Sequence, residues 1–310
     1  MEITFLGTGG GIPSKERNVA SLALQWTERG GRIWLFDCGE GTQHQILQSA
    51  VRLPRVDRIF ITHLHGDHIF GLPGLLGSRS FQGGDSPLTI HAPEGLRPFV
   101  ETALQVSGTY LRYPIEWLEL REESFTLEQG IQVEVGALSH RVPCYGFRIQ
   151  EPHRSGRLDV ERLQAEGIPP GPLYRQLKMG DRIQLPDGRI VDGRHYRKPD
   201  RPGRVVTVLG DTRPVVEAAR LAHGADVLIH EATYREGREE LAEKHGHSTS
   251  VQAARIARQA GVGRLLLTHI SSRYSAAESK VLEAEARQQF AATDVMYDGQ
   301  TVAVTSADGD

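Results

Sequence analysis

The stretch that decides the reading of this chain is ITHLHGDHIFGLPG, residues 61–74. Inside it, His63, His65, Asp67 and His68 fall within six residues. The apolar run RIFIT leads into the cluster and reads as a buried strand, so the cluster sits on a loop where that strand ends. Extended backbone sends alternate side chains to one side, so His63, His65 and Asp67 are expected to point together. Gly66 is expected to allow the bend that brings His68 round. Imidazole nitrogens and a carboxylate oxygen suit a borderline divalent cation such as zinc. A lone surface histidine needs no explanation, but four metal-capable side chains at one strand end do.

One turn cannot fill two metal shells, so further ligands are sought at other strand ends. His140 follows IQVEVGALS, Asp211 follows RVVTVLG and His269 follows GRLLLT. His91 and His230 also stand at strand ends, so position alone does not choose among the five.

The rest of the chain supplies the frame. Short apolar or β-branched runs recur, among them ITFLG, RIWLFD, LTIHAP, YGFRIQ and DVLIHE. Helical patterns lie between several, including TRPVVEAARLAHG, SAAESKVLEAEARQQF and HSTSVQAARIARQAG, which offers a Ser or Thr cap and a closing glycine. Grouped strands followed by strand–helix alternation predict an α/β sandwich with two mixed sheets inside and helices outside. With 310 residues the chain can bury a sizeable core unaided, so a bound metal would serve function more than folding. Two cysteines without CxxC spacing, no basic leader and no apolar run of the ~18 residues a membrane span needs predict a soluble cytoplasmic protein.

One segment breaks the rhythm. Residues 148–204 are rich in Gly, Pro and Arg with little apolar periodicity, and carry 13 Lys/Arg against 8 Asp/Glu. The remainder carries 23 against 31. The segment reads as a solvated surface excursion or as a basic arm reaching toward phosphates.

The order HLHGDH, then His140, Asp211 and His269, resembles the metallo-β-lactamase superfamily. Carried over, that resemblance implies an αββα sandwich as a single domain over 1–310, with a flexible arm inserted at about 148–204. It implies two zinc ions per chain: His63, His65 and His140 on the first, Asp67, His68 and His269 on the second, Asp211 bridging. Further stretches resemble the bacterial tRNA 3′-processing endoribonucleases, the ribonuclease Z group: GTGGGIPSKERNVASLAL, FDCGEGTQHQ with Asp37, SHRVPCYGFR, LGDTR, HEATY, KHGHSTS and LTHISSRY. The Gly171-Pro172 pair is of the kind that group's arm carries.

What this implies is removal of the 3′ trailer from precursor tRNA, leaving a 3′-hydroxyl on the tRNA and a 5′-phosphate on the trailer. Asp67 is then the proton acceptor and His247 the general acid, oriented by Glu231. Asp37 is expected to orient a ligand histidine without touching metal. Lys15, Arg17 and Arg273 are candidate RNA contacts, and a homodimer follows from the resemblance alone. The runner-up is a general zinc phosphodiesterase acting on other RNAs or small esters. A lactamase, lactonase or glyoxalase leaves the basic excursion unexplained. An RNA-binding protein with a degenerate site is disfavoured by the complete ligand set.

Overall fold

The computed structural model describes residues 1–305. Its chain divides into two compact units, the first comprising residues 1–127, 132–149 and 204 onward, the second residues 128–131 and 150–203.

The larger unit holds two mixed seven-stranded sheets. The first runs Thr301–Ala303, Glu2–Gly7, Ser21–Trp26, Arg32–Phe36, Val56–Phe60, Leu88–Ala92, Ile115–Glu119. The second runs Thr293–Val295, Arg264–Thr268, Val227–Glu231, Val205–Leu209, Cys144–Gln150, Gln132–Leu138, Glu123–Thr126. Both are parallel at their centres: Val56–Phe60 lies parallel to both neighbours, as does Val227–Glu231. Strands buried on both faces explain the continuous apolar runs, such as VLIHE with every residue buried.

Aromatic side chains fill the space between the sheets. Phe36 and Phe60 stack at 5.0 Å in the first sheet, and Phe147 of the second meets Phe60 edge-on at 5.2 Å. Outside, the helices Val216–Ala222, Ser250–Ala260 and Ala276–Arg287 bury Leu221, Ile256 and Leu282 in one cluster with Leu228 and Leu265 of the second sheet. Leu72–Phe81 and Leu96–Val106 do the same for the first sheet. The result is an αββα sandwich. Thr249 caps the helix Ser250–Ala260 in a capping box with Gln252, and Gly261 closes it in the left-handed conformation. Leu72–Phe81 and Leu96–Val106 were not legible as helices, since the first holds a proline and two glycines and the second a proline.

The smaller unit contains more order than its composition suggests. Leu163, Ile168, Leu177, Ile183, Leu185, Val191 and Tyr196 form a small core of its own beneath two short helices and a hairpin pairing Arg182–Gln184 with Ile190–Asp192. Arg148 and Arg204, the ends of the basic segment, belong to the larger unit. Much of the segment's positive charge is met internally: Arg162 pairs with Glu166, Arg182 and Arg194 with Asp192, Arg189 with Asp187, and Arg197 with Asp200. No described helix is long and apolar enough to cross a membrane.

Candidate active site

The second sheet delivers three of the proposed ligands just beyond strand ends: His140 after Gln132–Leu138, Asp211 after Val205–Leu209, His269 after Arg264–Thr268. The first sheet delivers the other four after Val56–Phe60. The extended backbone accounts for His63 and His65. Asp67 and His68 arrive differently, on a helical turn, Gly66–Ile69. Gly66 is needed there for space and not for an unusual φ: a Cβ on it would lie 2.2 Å from the Phe70 ring. Gly10 plays the same part on the far side, where a Cβ would lie 2.5 Å from His269 Nδ1.

The seven side chains converge. His63 Nε2 lies 3.1 Å from His65 Nδ1, which lies 3.2 Å from His140 Nε2. His68 Nε2 lies 3.2 Å from His269 Nε2, and His269 Nε2 lies 3.3 Å from Asp67 Oδ2. Asp211 Oδ2 stands between the two groups, 3.7 Å from His63, 3.9 Å from His140, 3.6 Å from His68 and 3.3 Å from His269. Ligand atoms within each group lie within 4.8 Å of one another. Of the histidines left open by strand-end position, His91 is stacked between Phe60 and Phe125, and His230 is buried with Nδ1 on the Glu231 carbonyl, so neither joins the cluster.

The outer nitrogens of four of these rings are spoken for, which fixes which nitrogen faces inward. His68 Nδ1 donates to Asp37 Oδ2 at 2.7 Å. The Thr62 hydroxyl also donates to Asp37 (2.9 Å), so it accepts from His63 Nδ1 at 3.0 Å. The second sheet repeats the device. The Thr233 hydroxyl donates to Glu231 Oε2 (2.6 Å) and accepts from His269 Nδ1 (2.9 Å). His140 Nδ1 donates to the Gly246 carbonyl at 2.6 Å. When neutral, each ring therefore turns a lone pair inward, and such lone pairs around a shared carboxylate oxygen fit divalent cations. Asp37 and His269 both adopt positive φ, a strained backbone held at functional positions.

Electrostatics divide the cluster. Burial pushes His63 well below its usual range, with the neighbouring imidazoles adding to it, and burial lowers His65 and His140 too. For His68 burial opposes the charge, but the carboxylates of Asp37 and Asp211 win and hold its pKa well up. Burial would raise Asp67, yet its hydrogen bond to His269 and the nearby His68 hold it below the usual carboxylate range. Such a carboxylate accepts a hydrogen bond well but stores a proton poorly.

Beside the cluster, His247 Nδ1 donates to Glu231 Oε1 at 2.9 Å. Glu231 is buried and also accepts from the backbone of Thr212, Thr233 and Ser248, a satisfied anion that pins the ring and leaves Nε2 free to face a substrate. Burial opposes protonation of His247, but Glu231 and Asp211 outweigh it and raise its pKa to about 9. A dication held at Asp211 would draw that value back down.

The candidate RNA contacts separate. Lys15 is exposed on the loop whose Gly11 N–H donates to Asp67 Oδ2 at 2.6 Å. Arg273 is exposed, its guanidinium 5.4 Å from the Tyr234 ring centroid. Arg17 does not face solvent and is corrected here: it is buried, donating to Thr8 Oγ1 and the Met296 carbonyl beneath Tyr297. Gly171 and Pro172 lie in the smaller unit, Pro172 at the start of the helix Leu173–Met179. Cys38 and Cys144 are free and buried. Thr62, Thr233 and the Gly246 carbonyl were missed in the sequence, since a threonine that relays a carboxylate to a histidine leaves no pattern.

The profile described as "Anti-Pycsar protein Apyc1" matches residues 1–152, and that described as "Beta-lactamase superfamily domain" matches 197–270. A Ribonuclease Z of Geobacillus kaustophilus is 53% identical over 298 residues, covering 96% of this chain and 97% of its own. The chain belongs to the ribonuclease Z family. A Ribonuclease BN of Proteus mirabilis is 50% identical over 302 residues, covering 97% and 99%. Among solved structures, the short form of human tRNase Z superimposes with a TM-score of 0.70 at 31% identity, over 98% of this chain and all of that one. The sandwich is the metallo-β-lactamase fold of that family.

Proposed function

We propose that the chain is a dinuclear zinc endoribonuclease that removes the 3′ trailer from precursor tRNA, leaving a tRNA 3′-hydroxyl and a trailer 5′-phosphate. The observation that carries this is Asp211 standing between two complete ligand groups, with the His247–Glu231 pair beside it. His63, His65 and His140 would hold one ion, Asp67, His68 and His269 the other, and Asp211 both. Bound there, two cations supply Lewis acidity, lowering the pKa of water and offsetting charge on the phosphoryl oxygens.

The chain's own residues do the rest. Asp67 orients the attacking water and accepts its proton as the oxygen bonds to phosphorus, passing it on to solvent. Protonated His247, held by Glu231, gives its Nε2 proton to the departing ribose 3′-oxygen, which would otherwise leave as an alkoxide. The second unit is read as the grip on the tRNA body, through Arg157, Arg175, Lys178 and Lys198, which carry no carboxylate partner among the described residues. The internal pairing of its other arginines favours the second reading, a phosphodiesterase of broader scope. The reading also includes a cytoplasmic homodimer, for which light scattering across protein concentration is the direct test.

The deciding experiment incubates zinc-loaded protein with a precursor tRNA bearing a 3′ trailer and maps the ends. A single cut at the trailer junction with a 3′-hydroxyl upstream is the expected result. Cuts scattered along the RNA, or none while a small diester is hydrolysed, would overturn the tRNA reading.

A further inference from the structure

Outside the metal ligands and the His247–Glu231 pair, Arg141, Lys244 and His245 have no assigned work and lie near the candidate RNA contact Arg273. Arg141 follows the ligand His140, and a Cβ on Gly246 would lie 3.3 Å from Arg141 Cγ. Gly246 is also the residue whose carbonyl holds His140. Just before it, Lys244 and His245 end the helix Glu239–His245. The His245 ring lies 6.4 Å from Tyr234, whose ring is 6.1 Å from His247 and carries the Arg273 guanidinium.

Arg141, His245 and Arg273 thus lie along one rim, with Lys244 next to His245 at the end of its helix. Burial lowers the His245 pKa, and the positive charges of Lys244, Arg141, His247 and Arg273 push it down further. Arg141, Lys244 and Arg273 have no carboxylate partner among the described residues. The contrast is local: Arg213, nearby, is paired with Glu243 at 2.9 Å, and Arg235 with Glu285 at 3.0 Å. Like charges gathered with no carboxylate bonded to them cost free energy in the free protein and become favourable when an anion sits among them.

The position says which anion. The His140 and His247 rings are 5.0 Å apart, so the rim begins where the proposed acid ends. His247 serves the oxygen on the upstream nucleotide, so the strand leaving on that side runs toward the RNA's 5′ end. We propose that Arg141, Lys244 and His245, with Arg273, seat the phosphate on the 5′ side of the nucleotide whose 3′-oxygen departs. This rests on the reading that the site cuts RNA. The seat would make the enzyme prefer a polynucleotide to an isolated diester at the same metals.

The test uses the zinc-loaded full chain and a short RNA with one cleavable junction, either all-phosphate or with a neutral methylphosphonate at that 5′ linkage. In the unaltered protein the neutral linkage should lower kcat/KM roughly tenfold to a hundredfold, as loss of a charge-assisted contact does. In the Arg141→Gln/Lys244→Gln protein, activity on the all-phosphate RNA should already be lowered, and the neutral linkage should cost little more. The slope of log kcat/KM on log salt should shrink by about 0.7 in the variant, one single-strand phosphate's worth. Zinc content and hydrolysis of a nitrophenyl diester should not change. A variant as sensitive to the neutral linkage as the parent overturns the seat, as does an equal loss on the small diester. If the unaltered protein cuts the diester but no RNA, the RNA reading itself fails, a result distinct from either.

Discussion

Replacing Asp37 by asparagine should disable both metal positions although Asp37 touches neither. Its carboxylate accepts three hydrogen bonds, from the Thr62 N–H at 2.8 Å, the Thr62 hydroxyl at 2.9 Å and His68 Nδ1 at 2.7 Å. An asparagine can keep the Thr62 N–H bond through its carbonyl oxygen. Its amide must then face His68 Nδ1 and the Thr62 hydroxyl, and an amide donates where the carboxylate accepted. His68 would respond by moving its proton to Nε2, the nitrogen aimed at His269, and lose its inward lone pair. The Thr62 hydroxyl, no longer able to donate to residue 37, would turn and spoil the tautomer of His63. One buried carboxylate thus sets a ligand in each group. Mutation of such supporting partners costs 10–100-fold in metal affinity, and two ligands are affected, so a loss of about 100-fold is the expectation. Asp37→Ala should add instability of a few kcal/mol, since it strands the Thr62 N–H in the interior. The assay is zinc titration against a competing chelator, read as two binding steps, with a thermal melt as control. Two zincs bound by Asp37→Asn with unaltered affinity would refute the tautomer argument.

Other consequences are as direct. His247→Ala should lower turnover on precursor tRNA roughly 10²–10⁴-fold with zinc content intact, while a nitrophenyl diester, whose leaving group needs no proton, suffers much less; equal losses would remove the acid role. Glu231 raises the His247 pKa and a dication at Asp211 draws it down, and the acid must be protonated to act, so turnover should fall as pH rises through the His247 pKa of the metal-loaded enzyme and the His247→Ala protein should lack this alkaline limb. The metal-free protein should hold a proton on His68, whose pKa is raised, and metal requires the neutral ring, so zinc binding near pH 7 should release protons, measurable by calorimetry in buffers of different ionisation enthalpy. The strands Cys144–Gln150 and Val205–Leu209 are sheet neighbours, so residues 151–203 can be replaced by a short linker; precursor tRNA binding should weaken and lose salt dependence while small-diester hydrolysis persists, and unchanged tRNA processing would end the gripping role.

The sequence by itself determined the layered sandwich and the metal-capable turn, and it narrowed the remaining ligands to five strand-end candidates, because these are written in local signals. Apolar runs mark strands buried on both faces, and crowded imidazoles at a strand end have little other use. Local pattern went wrong where tertiary packing sets the meaning of a residue. Gly66 reads as a bend and is a gap kept open for Phe70. Arg17 reads as a surface cation and is buried under Tyr297. The segment 150–203 reads as irregular because its core is assembled from single apolar residues far apart in the chain, Leu163 through Tyr196, with no period to reveal them. The choice of His140 and His269 over His91 and His230 was likewise a three-dimensional fact. All four stand at strand ends, and His230 also bonds a carbonyl through Nδ1, but only His140 and His269 meet ring nitrogens from the other sheet while their outer nitrogens are held by Gly246 and Thr233. Those partners come from other strands and loops, such as Gly246, 106 residues beyond His140. Hydrogen bonds of that reach are fixed by how the two sheets close on each other, which no stretch of sequence carries alone.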